Sequence, residues 1–217
     1  MKRLFNIMVL CTLLLSACDE EEDNIIDYPI TLHMHDLSRA SNIRLFVNKK
    51  EIYNSNIIKS FIGNSEYFKL PTNTDLRSSN ESIYFLSEDS VLFGTSPIGF
   101  IVKKNANQFL FYSPKILQVN NEYNIVYPLL KYTDELIPVS SGINFGGYLT
   151  GEVRVGYGSY KNLEICFLSY MLLKNEGSYK RLTSGQLLNE FNEEAINTLG
   201  LRDTLAIREY RIRFIAK

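Results

Sequence analysis

Histidine is nearly missing from this chain, with 2 among 217 residues. A serine or cysteine nucleophile needs a base to take its proton, and only His33 and His35 are there to do it. No serine sits in the Gly-x-Ser-x-Gly elbow that exposes a hydrolase nucleophile. In a strand the two imidazoles share one face, as a chelating pair must. Zinc, however, takes a third or fourth protein ligand, and the sequence singles out none. His33 and His35 are therefore the metal candidates, but are read as strand histidines, and no cofactor is expected. Cysteine is scarce too, with 3 residues, Cys11, Cys18 and Cys166, too few for a disulfide framework. Tryptophan is absent, which counts against a sugar-stacking platform. No apolar run approaches the roughly 20 residues that span a bilayer as a helix. Charge of one sign is not in excess, with 23 basic and 24 acidic residues. Setting aside Lys2 and Arg3 on one side and Asp19 to Asp23 on the other leaves 21 against 19. That near-neutral body lacks the basic face nucleic acid requires.

What the chain does contain is the make-up of a folded globular protein, 45% hydrophobic and 22% charged. Its length suits one domain or two small ones. Short runs rich in Ile, Val, Phe and Tyr alternate with Asn, Ser, Gly and Lys clusters, which reads as antiparallel β-structure. In Asn42 to Val47, residues 43, 45 and 47 share one face, and a polar turn follows at Asn48 to Glu51. Ile83 to Leu86, Phe100 to Val102 and Phe109 to Tyr112 are apolar on both faces and read as central strands. Gly151 to Val155 and Asn162 to Ile165 flank Gly158-Ser159-Tyr160, predicting a hairpin with Arg154 opposite Glu164. Thr183-Ser184-Gly185-Gln186 has the form of a capping box, with Leu182 and Leu187 as a staple. Leu188, Phe191, Ala195 and Leu199 follow at helical spacing, and Gly200 ends the run. That pattern predicts a helix over 184–199. Thr204 to Ile215 reads as a last strand whose buried face switches between Ile207 and Tyr210, implying a bulge near Arg208 and Glu209. The expected fold is a β-sandwich over residues 28–217 with one C-terminal amphipathic helix. A seam near 133–142, where Asp134, Pro138, Ser140, Ser141 and Gly142 gather, would divide it or be a long loop.

Met1 to Ala17 starts with Lys2 and Arg3, continues through an apolar run from Leu4 to Leu15 broken only by Asn6 and Thr12, and ends in small residues. This is the layout of a signal peptide. Leu15-Ser16-Ala17-Cys18 resembles the lipobox of bacterial lipoproteins. The resemblance implies that residues 1–17 are removed and that the Cys18 thiol carries a diacylglyceryl group on a new N-terminus. Several acyl chains on one residue hold a protein to a membrane where one chain, at ~0.8 kcal/mol per buried methylene, binds only marginally. The run Asp19, Glu20, Glu21, Glu22 and Asp23 resembles the acidic export signal of Bacteroidetes-type surface lipoproteins. In other bacteria an Asp directly after the lipidated cysteine signals inner-membrane retention instead. In either case a run of like charges repels itself into an extended tether, here over residues 18–27. With Cys11 removed and Cys18 acylated, Cys166 has no disulfide partner, and its apolar setting Leu163 to Leu168 predicts a buried, inert thiol.

Two glycine-rich stretches, Gly146 to Gly151 and Gly156 to Gly158, lack the Gly-Lys-Ser/Thr of a phosphate loop and are read as turns and bulges. Tyr148, Tyr157 and Tyr160 cluster around the predicted hairpin. Exposed, they would be ligand contacts; half-buried, they are ordinary strand residues. Asp89-Ser90-Val91 and Asp203-Thr204-Leu205 resemble the O-glycosylation triplets of exported Bacteroidetes proteins. The functional expectation is a non-enzymatic binding or accessory lipoprotein, anchored in the outer membrane and facing the cell surface. Its partners would be the membrane and an outer-membrane or surface complex or glycan. A structural or adhesive, pilus-associated subunit and a hydrolase with dispersed carboxylates are the alternatives.

Overall fold

The computed structural model describes residues 26–114, 116–118, 126–133, 139–140 and 148–217. The expected signal peptide, the lipobox-like stretch and the acidic run lie outside the described residues, as does most of the expected 133–142 seam. About half of the described residues are in strands, so the mainly-β expectation stands. The sandwich does not. The main sheet closes on itself as an eight-stranded antiparallel barrel.

In chain order the barrel strands are β1 (Ile30–Ala40), β4 (Ser82–Ser87), β5 (Ser90–Phe93), β6 (Gly99–Asn105), β7 (Gln108–Tyr112), β11 (Val153–Ser159), β12 (Asn162–Glu176) and β14 (Thr204–Ala216). Closure comes from the two long strands. Asn162 to Leu173 of β12 pairs with Ile215 to Thr204 of β14 without a break in register. A sandwich would leave these strands at sheet edges, whereas pairing them satisfies both rows of backbone groups and removes the edge.

Both long strands outrun the barrel and change neighbours. β12 pairs with β11 as far as Ile165 and, from Leu168 on, with β13 (Tyr179–Leu187). β14 pairs with β1 from Tyr210 on and, up to Ile207, with β2 (Arg44–Val47), which carries β3 (Lys50–Ile52) beside it. A barrel thus continues into an open sheet through two shared strands. The β2–β3 turn is the two-residue Asn48-Lys49, both left-handed at φ 52° and 65°, the form whose twist suits a hairpin. The polar turn is therefore shorter than expected, and Lys50 already belongs to a strand.

Three cores follow from this arrangement. The barrel interior holds Leu32, Phe85, Phe109, Phe111, Leu163 and Phe214, among others. One face of the open sheet is covered by Val126 to Leu130 and by Phe191 to Leu199, where Phe191 stacks on Phe46 at 6.3 Å. The opposite face is covered by α1 (Ser55–Ile62) and by Phe68. Helix α1 is capped by Asn54, whose side chain accepts from the N–H groups of Asn56 and Ile57. A second short helix, α2 (Asn73–Ser78), has a full capping box between Thr72 and Asp75.

The predicted helix over 184–199 is not present. Residues 179–187 form β13, and only α3 (Ala195–Thr198) is helical. The capping pattern is a local preference of about 1 kcal/mol. It competes here with a nine-residue ladder, Leu168↔Leu187 through Glu176↔Tyr179. Gly185, read as part of the cap, serves this ladder instead: a Cβ there would meet the Tyr170 ring at 3.1 Å. Phe191 is nonetheless buried, 5% exposed.

The predicted bulge in the last strand is absent as well. Leu205 and Ile207 face one core, Tyr210, Ile212 and Phe214 face another, and the β14 backbone runs straight between them. The apparent switch of face is a change of which side is covered. The hairpin at 159–162 forms, but Ser159 pairs with Asn162 and Tyr157 with Glu164, so Arg154 lies opposite Phe111 of β7 rather than Glu164. Gly158, at φ 130°, sets that register: a Cβ would lie 2.2 Å from the Asn162 carbonyl oxygen. A further three-stranded sheet joins β8 (Ile116–Gln118), β10 (Tyr148–Thr150) and β9 (Val139–Ser140).

Among the described residues no helix is long and apolar enough to cross a membrane. The barrel itself is apolar inside, while the outward face of its closing strands bears Glu164, Arg211 and Arg213. A membrane-spanning barrel has the reverse polarity.

Candidate functional site: the open end of the barrel

The interior is filled from one end only. Around the β11–β12 turn, Tyr160 (4% exposed) lies edge-on against Phe85 and Phe109, each at 5.1 Å, and its hydroxyl donates to the Glu88 carbonyl. Phe109 and Phe111 stack behind it at 6.0 Å. Aromatic rings therefore plug this end.

At the opposite end the strands fork. β12 leaves β11 after Ile165, and the chain beyond β13 crosses the gap, with Leu188 accepting at its carbonyl from the Val155 N–H at 2.9 Å. Beneath the fork is a cavity of about 920 Å³. Met34, Phe93, Phe167, Leu188, Ile212 and Phe214 supply its apolar surface, and polar groups line about as much of it. A loop at Gly94 to Ser96 and the segment Glu66 to Leu76 rim it. Eight strands close a barrel just wide enough to be filled by side chains or to hold one small ligand. The aromatic end is the first case and the forked end the second.

Three polar side chains enter this wall. Arg154, on the inward face of β11, sits in the corner formed by the edge-to-face rings of Phe93 and Phe100, its guanidinium carbon 4.4 Å from each ring centre. Its Nε donates to Glu152 Oε1 at 2.8 Å, and Nη2 donates to the same oxygen. Gln186 of β13 donates from Nε2 to the Tyr210 hydroxyl at 2.6 Å and to Ser169 Oγ at 3.3 Å. Burial pushes the Tyr210 phenol up to about 12, so it is a neutral donor at any physiological pH. The Tyr210 ring stacks on Phe167 at 5.0 Å.

The residues singled out in the sequence are scattered instead. Tyr160 is the plug. Tyr157 faces outward, its hydroxyl accepting from Gln108 at 3.1 Å and its ring beneath Arg211 at 4.3 Å. The backbone of Tyr148 belongs to the separate three-stranded sheet. Tyr157 and Tyr160 therefore lie on opposite faces of the barrel wall. His33 and His35 sit on the outward face of β1, with His33 Nδ1 3.2 Å from Ser82 Oγ and His35 Nδ1 3.3 Å from Asp36. Among the described residues no group of three or more His, Cys, Asp or Glu side chains is placed to hold a metal ion. Cys166 is 3% exposed, and burial raises its thiol to about 12, so almost none of it is thiolate. Asp203 is buried, accepting from the N–H groups of Gly200 and Asn175 at 2.8 and 2.9 Å, so it serves the turn before β14. Ser90 opens β5, half-buried, and its neighbour Val91 is in the core.

A smaller outward cleft of about 320 Å³ holds Glu190, Glu193 and Glu209. Each is engaged. Glu190 pairs with Lys131 at 3.0 Å and Arg211 at 3.2 Å, Glu193 pairs with Arg44, and Glu209 accepts from the Phe191 N–H at 3.0 Å. Glu164 pairs with Arg213 at 3.5 Å and Arg211 at 3.8 Å rather than with Arg154.

Comparison with protein families, with characterised proteins and with solved structures finds no match. What the chain does must be read from this geometry. The sequence signal for the cavity was slight: Arg154 alternates with Val153 and Val155 in an otherwise apolar strand, and an inward arginine is the one residue there that packing alone does not explain.

Proposed function

We propose that this is a lipid-anchored envelope protein, exported through Leu15-Ser16-Ala17-Cys18 and held by Cys18 in the outer membrane, that binds a small molecule in the forked end of its barrel without transforming it. The acidic run Asp19 to Asp23 carries the barrel to the cell surface. One observation supports the reading above others: a barrel packed by aromatic rings at one end keeps about 920 Å³ open at the other, lined by apolar and polar groups together. A packed interior holds few voids larger than a water molecule, and apolar pockets of roughly 300–1,000 Å³ are the size of ligand sites.

The chain has no tryptophan, so Phe167→Trp places a single emitter in the cavity wall. Reconstituted in vesicles through its lipid anchor, this variant should transfer energy to 1-anilinonaphthalene-8-sulfonate with saturation at one dye per chain. Leu188→Trp, in a separate protein with Phe167 intact, should narrow the cavity and weaken dye uptake. Absence of saturable transfer would remove the binding reading.

A further inference from the structure

We propose that the cavity selects amphipathic acids, with Arg154 taking the acid group and the apolar part of the lining, Met34, Phe93, Phe167, Leu188, Ile212 and Phe214, taking the body of the ligand. This rests on the reading of the forked end as a ligand site and adds the class of molecule it takes.

The charges of the lining divide into two groups. Glu66, Lys69, Asp75 and Glu81 stand at the rim, all exposed. Glu66 and Lys69 pair with each other at 2.6 Å, and Asp75 is tied to Thr72 in the capping box. Exposed charges are screened by water and salt. Arg154 is different, with its side chain 18% exposed and its guanidinium against two rings. An arginine never sheds its proton to escape burial. It must be compensated by a partner instead.

The compensation supplied by the chain is partial. Glu152 is 50% exposed and engages Nε and Nη2 through one oxygen only, leaving the Nη1 amino group outside the pair. A carboxylate entering from the cavity would find a cation that is already largely desolvated and held in place by two rings and Glu152, so little orientation remains to be lost on binding. The Tyr210 hydroxyl, which accepts from Gln186 and keeps its own hydrogen, adds a second donor to the same wall. Beyond the polar groups lie Met34, Ile212 and Phe214, which offer nothing to a polar body and suit a hydrocarbon one. A neutral apolar molecule would gain the walls but leave Arg154 as it is. A small inorganic anion would gain Arg154 and forgo the walls.

The test uses the full-length protein in native membranes, so that its anchor is retained. A dodecanoic acid bearing a mid-chain diazirine and the matching dodecanol are photolysed in parallel, and labelled peptides are located by mass spectrometry. The acid should label segments containing Met34, Phe93 or Phe167, and far more strongly than the alcohol. Arg154→Gln should reduce acid labelling roughly tenfold, the scale of one hydrogen bond to a charged group, and leave alcohol labelling unchanged. Arg154→Lys should retain most of it, and Glu152→Gln should raise it roughly two- to fivefold by removing a competing carboxylate. Equal labelling by acid and alcohol, unaffected by Arg154→Gln, would overturn the acid preference while leaving the cavity a binding site. Labelling of the cavity by neither would overturn both. Loss of acid and alcohol labelling together in both Arg154 variants would show a structural arginine and also overturn the proposal.

Discussion

Ile207 and Tyr210 lie three residues apart on one unbroken strand and are buried in two different cores, on opposite faces of the sheet. The strand between them carries Arg208, whose Nε donates to the Ser41 carbonyl and whose Nη1 donates to the Phe68 carbonyl. These bonds stitch the point where β14 exchanges β2 for β1. Barrel and open sheet are thus one cooperative structure joined through β12 and β14. Leu205 and Ile212, one in each core, are seven residues apart, or ~23 Å along a strand.

Leu205→Ala and Ile212→Ala should each cost about 2–5 kcal/mol. The double variant should lose their sum to within about 0.5 kcal/mol, because the two side chains share no neighbours. Urea unfolding should still show one transition. A coupling well above 1 kcal/mol, or two separated transitions, would contradict the two-core description.

Alkaline pH should weaken the fold through Tyr210. Its phenol is raised from an ordinary value near 10 to about 12, chiefly by burial. Tyr157 and Tyr160 are raised for the same leading reason. A raised phenol keeps its proton in the folded chain while the unfolded chain loses it. The contribution is therefore fully present below pH 10 and is lost as pH climbs toward 12, on the order of 2 kcal/mol for Tyr210. Tyr210→Phe should flatten that part of the stability profile while costing about 1 kcal/mol at neutral pH, where Gln186 loses its acceptor. An unchanged alkaline slope would mean that Tyr210 is not the titrating group.

The strands at 43–47, 83–86, 100–102 and 109–112 were legible because alternation and β-branched or aromatic content are local signals. What those signals do not carry is closure. Inward and outward residues alternate identically in a sandwich and in a barrel, and the difference lies in Asn162 to Leu173 pairing with a strand roughly forty residues away. The same blindness produced the helix over 184–199. Its cap and staple are real sequence features, but they lost to a ladder whose other half is β12. Burial was legible even there, since Phe191 was picked out as buried by its spacing and is. The site was hardly legible at all. Tyr157 and Tyr160 are adjacent to the hairpin in sequence but lie on opposite sides of the barrel wall, and Arg154 was assigned to a cross-strand pair in a register three residues off.

The export assignment rests on Cys18 and the acids after it, and the two should separate experimentally. Cys18→Ser should abolish membrane partitioning, since the thiol is the nucleophile that takes the lipid. Replacing Asp19 to Asp23 with Ser and Gly should leave lipidation and folding intact, because the tether only needs to be solvated and extended. Added protease on intact cells should then shave the wild type and spare the neutral variant. Wild type that is digested only after the outer membrane is permeabilised would make this a periplasm-facing lipoprotein.

The central claim is that the forked end of the barrel is occupied in the cell. Native mass spectrometry of the lipidated protein, released gently from its own membranes, addresses it most directly. The account predicts one small molecule per chain beyond the lipid anchor, in an acidic, largely hydrocarbon mass class, and its loss from Leu188→Trp, where the added ring narrows the cavity lined by Phe93 and Phe167. A chain that carries only its anchor in the wild type, or an adduct equally abundant in the narrowed variant, would contradict it.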